Sequence, residues 1–112
     1  MAVDKSLKKK DFERIFKKGK KIKENFLMLV ADENKKSKHC FGFVVSRKIS
    51  KKATVRNKIK RRLRSLIKAK METIKKGLDV IVVAFPGAGE KSFRETEETI
   101  DALVQKTKRL LS

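Results

Sequence analysis

Residues 40–75 read CFGFVVSRKISKKATVRNKIKRRLRSLIKAKMETIK, and the spacing of their apolar residues changes once. Cys40 to Ser46 are small, branched or aromatic, the composition of a pleated, half-buried strand. From about Thr54 to Lys75, Val55, Ile59, Leu63, Leu66, Ile67 and Ile74 fall on one stripe when the chain turns about 100° per residue. That spacing predicts a long helix with one buried side. Gly77 then ends the helix, Leu78 to Phe85 (LDVIVVAF) forms an unbroken apolar run, and Pro86 with Gly87 turns the chain. Strand, long helix and strand in succession make a sheet with a helix packed across it.

Working outward, Phe12, Ile15 and Phe16 recur at helical spacing and Gly19 follows, which predicts a short helix from Asp11 to Lys18. Asn25 to Ala31 (NFLMLVA) is a second strand signal, separated from Cys40 to Ser46 by the polar segment Asp32 to Lys38; the two read as an antiparallel pair. Lys21 to Lys23 is a weaker strand signal. Beyond the turn, Ser92 and Glu95 form an S-x-x-E capping box that opens a last helix, with Ile100, Leu103, Val104 and Leu110 inward. Its acids (Glu95, Glu97, Glu98, Asp101) precede its bases (Lys106, Lys108, Arg109), matching the helix dipole. The expected fold is an α+β sandwich of one domain over residues 1–112, in the order helix, two or three strands, helix, strand, helix. Its helices should lie mainly on one face of a small sheet.

With 32 Lys and Arg against 13 Asp and Glu, the formal charge is +19, and such a body repels itself unless a polyanion neutralises it. A phosphate backbone is the fitting partner, with binding that weakens steeply as salt rises. No apolar run approaches 20 residues, no amino-terminal hydrophobic signal is present, and the Leu111–Ser112 end carries no lipidation pattern, so no membrane partner and a cytoplasmic location are expected. The lone Cys40 forms no internal disulfide. Cys40 and the single His39 are neighbours in a strand and point to opposite faces, a poor geometry for a metal or a catalytic dyad.

The cations are segregated. Between Lys35 and Met71 there is no Asp or Glu but fifteen Lys or Arg, ten of them from Arg47 to Arg64. On the long helix Asn57, Arg61, Arg64 and Lys68 share one sector opposite the apolar stripe, with Lys58, Lys60 and Arg62 beside it. Guanidinium groups on a rigid helix can grip phosphates, and Asn57 can read a base edge or a 2′-hydroxyl. The Ser46 to Thr54 loop adds Arg47, Lys48, Lys51 and Lys52 at the positive end of that helix. A membrane-surface helix would need its apolar face free, whereas here that face is required to cover strands. DNA is not expected either, since no short helix and tight turn precede the basic helix as a helix-turn-helix requires. Composition alone therefore favours an RNA-binding structural protein, of the ribosomal or chaperone kind.

The residues Phe12-x-x-Ile15-Phe16-x-x-Gly19 and the run FGFVVSRKISKKATVRNKIKRRLR from Phe41 to Arg64 are more specific than that. Together they closely resemble the protein component of bacterial ribonuclease P, and the resemblance spans essentially the whole chain. The family's signature RNR helix reads Arg56-Asn57-Lys58 here. The resemblance implies the protein subunit of a tRNA 5′-processing endoribonuclease, with no catalytic residue of its own. The chemistry would belong to an RNA subunit using Mg²⁺, and the protein itself would bind no cofactor. Partners would be the ribonuclease P RNA and precursor tRNA. Arg56, Asn57, Lys58, Lys60, Arg61, Arg64 and Lys68, with Arg47, Lys48, Lys51 and Lys52 of the loop, would meet the RNA subunit. Arg56 lies at the edge of the apolar stripe, so bracing the helix start is an alternative role for it.

The resemblance also implies a cleft for the single-stranded 5′ leader, between the first helix and the open sheet face. Phe12 and Phe16 match its aromatic positions; spacing alone favours reading them as core, whereas the resemblance implies that their exposed edges stack on unpaired bases. Leu27 and Leu29 on one strand and Val44 and Ser46 on the next are the expected floor. Phe85 stands where family members often carry a basic residue. The resemblance further implies a left-handed crossover between the Cys40 and Leu78 strands, the reverse of the general rule.

Overall fold

The computed structural model describes residues 7–35, 38–74 and 77–111. In chain order these form α1 (Lys9–Lys18), β1 (Lys20–Glu24), β2 (Leu27–Glu33), β3 (Cys40–Val45), α2 (Ala53–Met71), β4 (Leu78–Ala84), a 3-10 turn (Ala88–Glu90) and α3 (Phe93–Leu111). The fold is α+β, with one four-stranded mixed sheet in the order β1-β2-β4-β3. The weak Lys21–Lys23 signal is a real edge strand, and its lysines suit an edge because charge there discourages pairing with another chain.

β2 and β3 are not paired with each other, contrary to the antiparallel pair expected from the sequence. β4 lies between them, antiparallel to β2 and parallel to β3. The reason is its composition. VIVVA is apolar at every position, so it is satisfied only where both faces are covered and both edges are paired, which is the centre of the sheet. β2 also begins two residues later than its sequence suggests, because Asn25 adopts a left-handed φ of 52° and makes the turn from β1.

α2 and α3 pack on one face of the sheet. Their Leu63, Ile67, Met71, Ile100 and Leu103 meet Leu27, Leu29, Phe41, Phe43, Val80 and Val82, which face them by strand alternation. On the other face Ile15 of α1 joins Val30, Cys40 and Ile81 in a second, smaller core. Cys40 is thus the buried strand residue its context predicts.

α2 stops at Met71, before the expected Lys75, a residue outside those described. Ile74 still packs on the core from beyond the helix end. His39 fastens this junction. Its Nε2 lies 3.1 Å from the Met71 carbonyl and 3.2 Å from that of Ile74, while Nδ1 lies 3.1 Å from the Leu78 amide nitrogen. Carbonyls only accept and an amide only donates, so the ring is the neutral Nε2–H tautomer, joining the end of α2 to the start of β4.

α3 corrects a second expectation. Leu110 is 52% exposed, and the inward row instead includes Thr96, Thr99, Ile100, Leu103 and Thr107, with half-buried Leu111 at its end. Each threonine hydroxyl donates to the carbonyl four residues back, at 2.8 to 3.0 Å, so the polar atoms are satisfied within the helix and the row can be buried. The Ser92–Glu95 capping box forms as read: Ser92 Oγ accepts from the Glu95 amide and Glu95 Oε1 from that of Ser92.

Replacing His39 with Ala leaves the Leu78 amide and two carbonyls at a half-buried junction without their partner. A loss of about 1–3 kcal/mol is expected, read as a lower urea midpoint with an unchanged slope.

Candidate nucleic-acid interface

Two separate surfaces carry the residues singled out in the sequence. The first is α2 with the loop before it. The loop is shaped by its own side chains: Ser46 Oγ accepts from the Lys48 amide at 3.0 Å and Ser50 Oγ from the Lys52 amide at 3.2 Å. Arg56 reaches back and donates from Nη1 to the Ser50 carbonyl at 2.8 Å. Arg56 is thus half-buried and braces the helix start, while Ser46, expected in the cleft floor, lies beyond the last paired residue of β3 and belongs to this loop.

Bracing holds four cations around one hollow. Arg47, Lys48, Lys51 and Arg56 line a cavity of about 550 Å³ at the amino-terminal end of α2, whose first turn contains no acid to offset the positive helix dipole. Along the helix, Asn57, Lys58, Arg61 and Lys68 are exposed, and Lys60, Arg62 and Arg64 are half-buried. Arg62 turns toward α3, where its guanidinium lies 5.8 Å from the centre of the exposed Phe93 ring. The structure therefore joins the loop cations and the helix face into one continuous basic surface, backed by the buried Leu63, Leu66 and Ile67.

The second surface is the α1 side of the sheet, organised as rows running across β2, β4 and β3. The registers align Asp32, Asp79 and Cys40 in one row, Val30, Ile81 and Gly42 in the next, and Met28, Val83 and Val44 in the third. α1 covers the first two rows. Phe12 sits directly on Gly42, where a Cβ would come within 2.5 Å of the ring, so only glycine admits the ring here. The third row lies beyond the helix, and its three side chains are only half-buried. An apolar cleft results, walled by Phe12 and Phe16. Each ring packs against the second core and keeps part of its surface exposed.

Val44 is in this floor as expected, but Leu27 and Leu29 are not. Both are fully buried on the opposite face, against α2 and α3. Alternation leaves a single parity choice for a strand, and the larger helical layer takes the leucines while Met28 and Val30 turn toward α1. Phe85, next after Val83 on the same side, is half-buried with the Lys23 ammonium 5.0 Å from its ring centre. It also lines a groove of about 640 Å³ with Lys23, Phe26, Lys91, Glu95 and Glu98. Sequence spacing missed Met28, Val83 and Lys23; the signal for the first two was the two-sided burial of β4.

Among the described residues no group of three or more His, Cys, Asp or Glu is placed to hold a metal ion. Where Asp11, Asp32 and Asp79 converge, the guanidinium of Arg14 occupies the position a cation would take.

A mixed sheet with a basic crossover helix on one side and an aromatic-walled cleft on the other defines an α+β nucleic-acid-binding module. Comparison with known proteins narrows the class. The family model Ribonuclease P matches residues 1–108. The ribonuclease P protein component of Synechocystis sp. is 39% identical over 106 residues, covering 88% of this chain and 86% of the relative; that of Bacillus velezensis is 35% identical over 101 residues, covering 89% and 85%. Among solved structures, the Staphylococcus aureus RNase P protein superposes with a TM-score of 0.81 at 28% identity, covering 91% of this chain and 93% of that one. The Thermotoga maritima protein gives 0.79 at 30% identity, covering 89% and 94%. The chain belongs to the ribonuclease P protein family, the protein subunit of an endoribonuclease that acts in tRNA 5′ processing.

The corrected floor can be checked directly. Leu29→Ala opens a cavity in the main core and is expected to cost about 2–5 kcal/mol in a denaturant titration, without altering the preference of the assembled ribonucleoprotein for precursor over mature tRNA. Met28→Ala, from the open row, is expected to do the reverse: little stability lost and a weaker precursor preference.

Proposed function

We propose that the two surfaces divide the work of the subunit. The Arg47–Lys52 loop and the outer face of α2, with Asn57, Lys58, Lys60, Arg61, Arg64 and Lys68, dock onto the ribonuclease P RNA. The cleft between α1 and the Met28–Val83–Val44 row takes the single-stranded 5′ leader of precursor tRNA, with bases against Phe12 and Phe16. The observation that carries this reading is the open apolar row. A protein that only neutralised RNA would have no use for a half-exposed hydrophobic strip flanked by two aromatic rings, on a different face from the cations of α2.

The chain then acts by binding. Mg²⁺ for phosphodiester hydrolysis would be held by RNA oxygens, since among the described residues no cluster of His, Cys, Asp or Glu is placed to hold it. The basic surface would reduce repulsion between RNA elements brought together by assembly. A leader contact is made with precursor and lost with product. Its binding energy therefore favours substrate capture without slowing release of mature tRNA.

The direct test adds the purified chain to a bacterial ribonuclease P RNA at low Mg²⁺ and follows 5′ processing. Stimulation well beyond that given by an unrelated basic protein of similar charge is expected; equal stimulation would reduce the chain to a general RNA chaperone. A variant with Arg61→Ala and Lys68→Ala, both exposed, is expected to keep its fold and to assemble more weakly. The slope of log affinity against log salt should fall by roughly one unit for each phosphate contact removed, and an unchanged slope would exclude this helix face from the contact.

A further inference from the structure

The closed end of the cleft holds the one buried charged side chain among the described residues, Asp79 in the Asp32–Asp79–Cys40 row. Asp79 Oδ2 accepts from Arg14 Nη2 at 2.8 Å, and its Oδ1 accepts from Asn34 Nδ2 at 3.0 Å. The other branch of Arg14 donates to Asp32 Oδ2 at 3.3 Å, and Asp11 Oδ1 lies 3.6 Å from Nη2. The hydrogen bond to Asp79 holds the guanidinium even more firmly protonated than an ordinary arginine. In a chain of formal charge +19, three carboxylates gather on this one cation. Arg14 is thereby committed to the protein and withdrawn from phosphate binding, although it shares α1 with Phe12 and Phe16.

Helix geometry shows what the commitment does. α1 has ten residues, too few for a stable helix without tertiary contacts. Ile15 is its fully buried residue and Phe12 rests on Gly42, so these two seat it on the sheet. Arg14 leaves the helix about 160° around the axis from Phe16, at about 100° per residue. The clasp and the cleft aromatics therefore grip opposite flanks of one short cylinder seated on a narrow line of contact. With the clasp closed, α1 is tied to the sheet on both flanks. With it open, a small roll would change the height of the Phe16 ring above the Met28–Val83–Val44 row.

We propose that Arg14 and Asp79 are positioning residues for leader binding: their ion pair across the closed end of the cleft sets the roll of α1 and so the spacing between the aromatic wall and the open row. The proposal rests on the leader reading given above. It makes a prediction opposite in sign to simple electrostatics, because Asp79→Asn removes a negative charge beside a site for a polyanion. Charge alone would leave leader binding unchanged or strengthen it. Loss of the clasp weakens it.

The experiment uses the full chain assembled with ribonuclease P RNA, and measures affinity for a leader-bearing precursor tRNA and for the matching mature tRNA. Asp79→Asn, nearly isosteric, is expected to reduce the precursor-over-mature ratio on the order of tenfold, the scale of one charge-assisted hydrogen bond, with mature-tRNA affinity and assembly unchanged. Arg14→Lys gives an independent reading if Asp79→Asn folds poorly. It keeps the cation, so a phosphate contact would survive with the ratio intact, whereas a clasp that needs both guanidinium branches predicts a fall. Leu29→Ala controls for lost stability and should leave the ratio alone; a fall equal to that of Asp79→Asn would make the clasp merely structural and overturn the proposal. An unchanged or raised ratio in both clasp variants would overturn it as well, while the leader reading stood. Absence of any precursor preference in the wild-type assembly would instead overturn the leader reading itself, and the proposal with it.

Discussion

The two-sided burial of β4 is the constraint on which both surfaces depend. Its even residues, Leu78, Val80, Val82 and Ala84, face α2 and α3, and its odd residues Ile81 and Val83 face α1. Because β4 sits between β2 and β3 and pairs with both, its parity fixes theirs through the registers that align Met28 and Val44 with Val83. A one-residue slip would exchange every floor residue for a core residue. The cleft is therefore a by-product of register, and it stays open because α1 is only ten residues long and reaches across two of the three apolar and acidic rows. The crossover helix is fixed by the same strand, since β3 and β4 can be parallel neighbours only if the chain between them returns along the sheet. That return path is α2, the principal basic surface.

A body of this charge must also place its few acids well. None is spent in the cationic block. Asp101 and Glu97 hold Lys70, with Asp101 at 2.7 Å, and raise the affinity of its amine for the proton, tying α3 to α2. Glu24 pairs with Lys106 and ties α3 to β1. Glu95 caps α3, where its hydrogen bond to the Ser92 amide holds its carboxyl below the usual range. Asp11, Asp32 and Asp79 take Arg14. Each of these acids thus joins elements or ends a helix, and none lies in the Arg47–Arg64 block, where repulsion among the cations would be relieved by a bound phosphate backbone.

Much of this was legible in the sequence. Helical and strand periods located every element except the 3-10 turn, and the capping box, the basic sector of α2 and the burial of Cys40 were each carried by local spacing. What local spacing does not carry is which strand lies beside which, and which parity faces which layer. Leu27 and Leu29 look like a cleft floor until β4 is placed at the centre; then the larger core claims them, and Met28 becomes the exposed member. Leu110 looked inward because threonine was counted as polar, yet Thr96, Thr99 and Thr107 satisfy their hydroxyls within α3 and form the buried row. The Arg14–Asp79 pair spans 65 residues, so no window of sequence contains it.

Division of the molecule into two surfaces, as proposed, would explain how a subunit that acts by binding can raise the efficiency of an enzyme. A purely electrostatic subunit would hold precursor and product alike, since both carry the same tRNA body, and uniform binding does nothing to separate them. Discrimination has to come from contacts with the part that is removed, and that part is single-stranded RNA, recognised by stacking and apolar surface more than by charge. On the proposed reading, the half-exposed Met28–Val83–Val44 row and the rings of Phe12 and Phe16 would supply such contacts on a face that α2 does not share. Keeping the two apart would let phosphate affinity rise on α2 without tightening the grip on product, since the basic helix and the rings of Phe12 and Phe16 lie on opposite sides of β4.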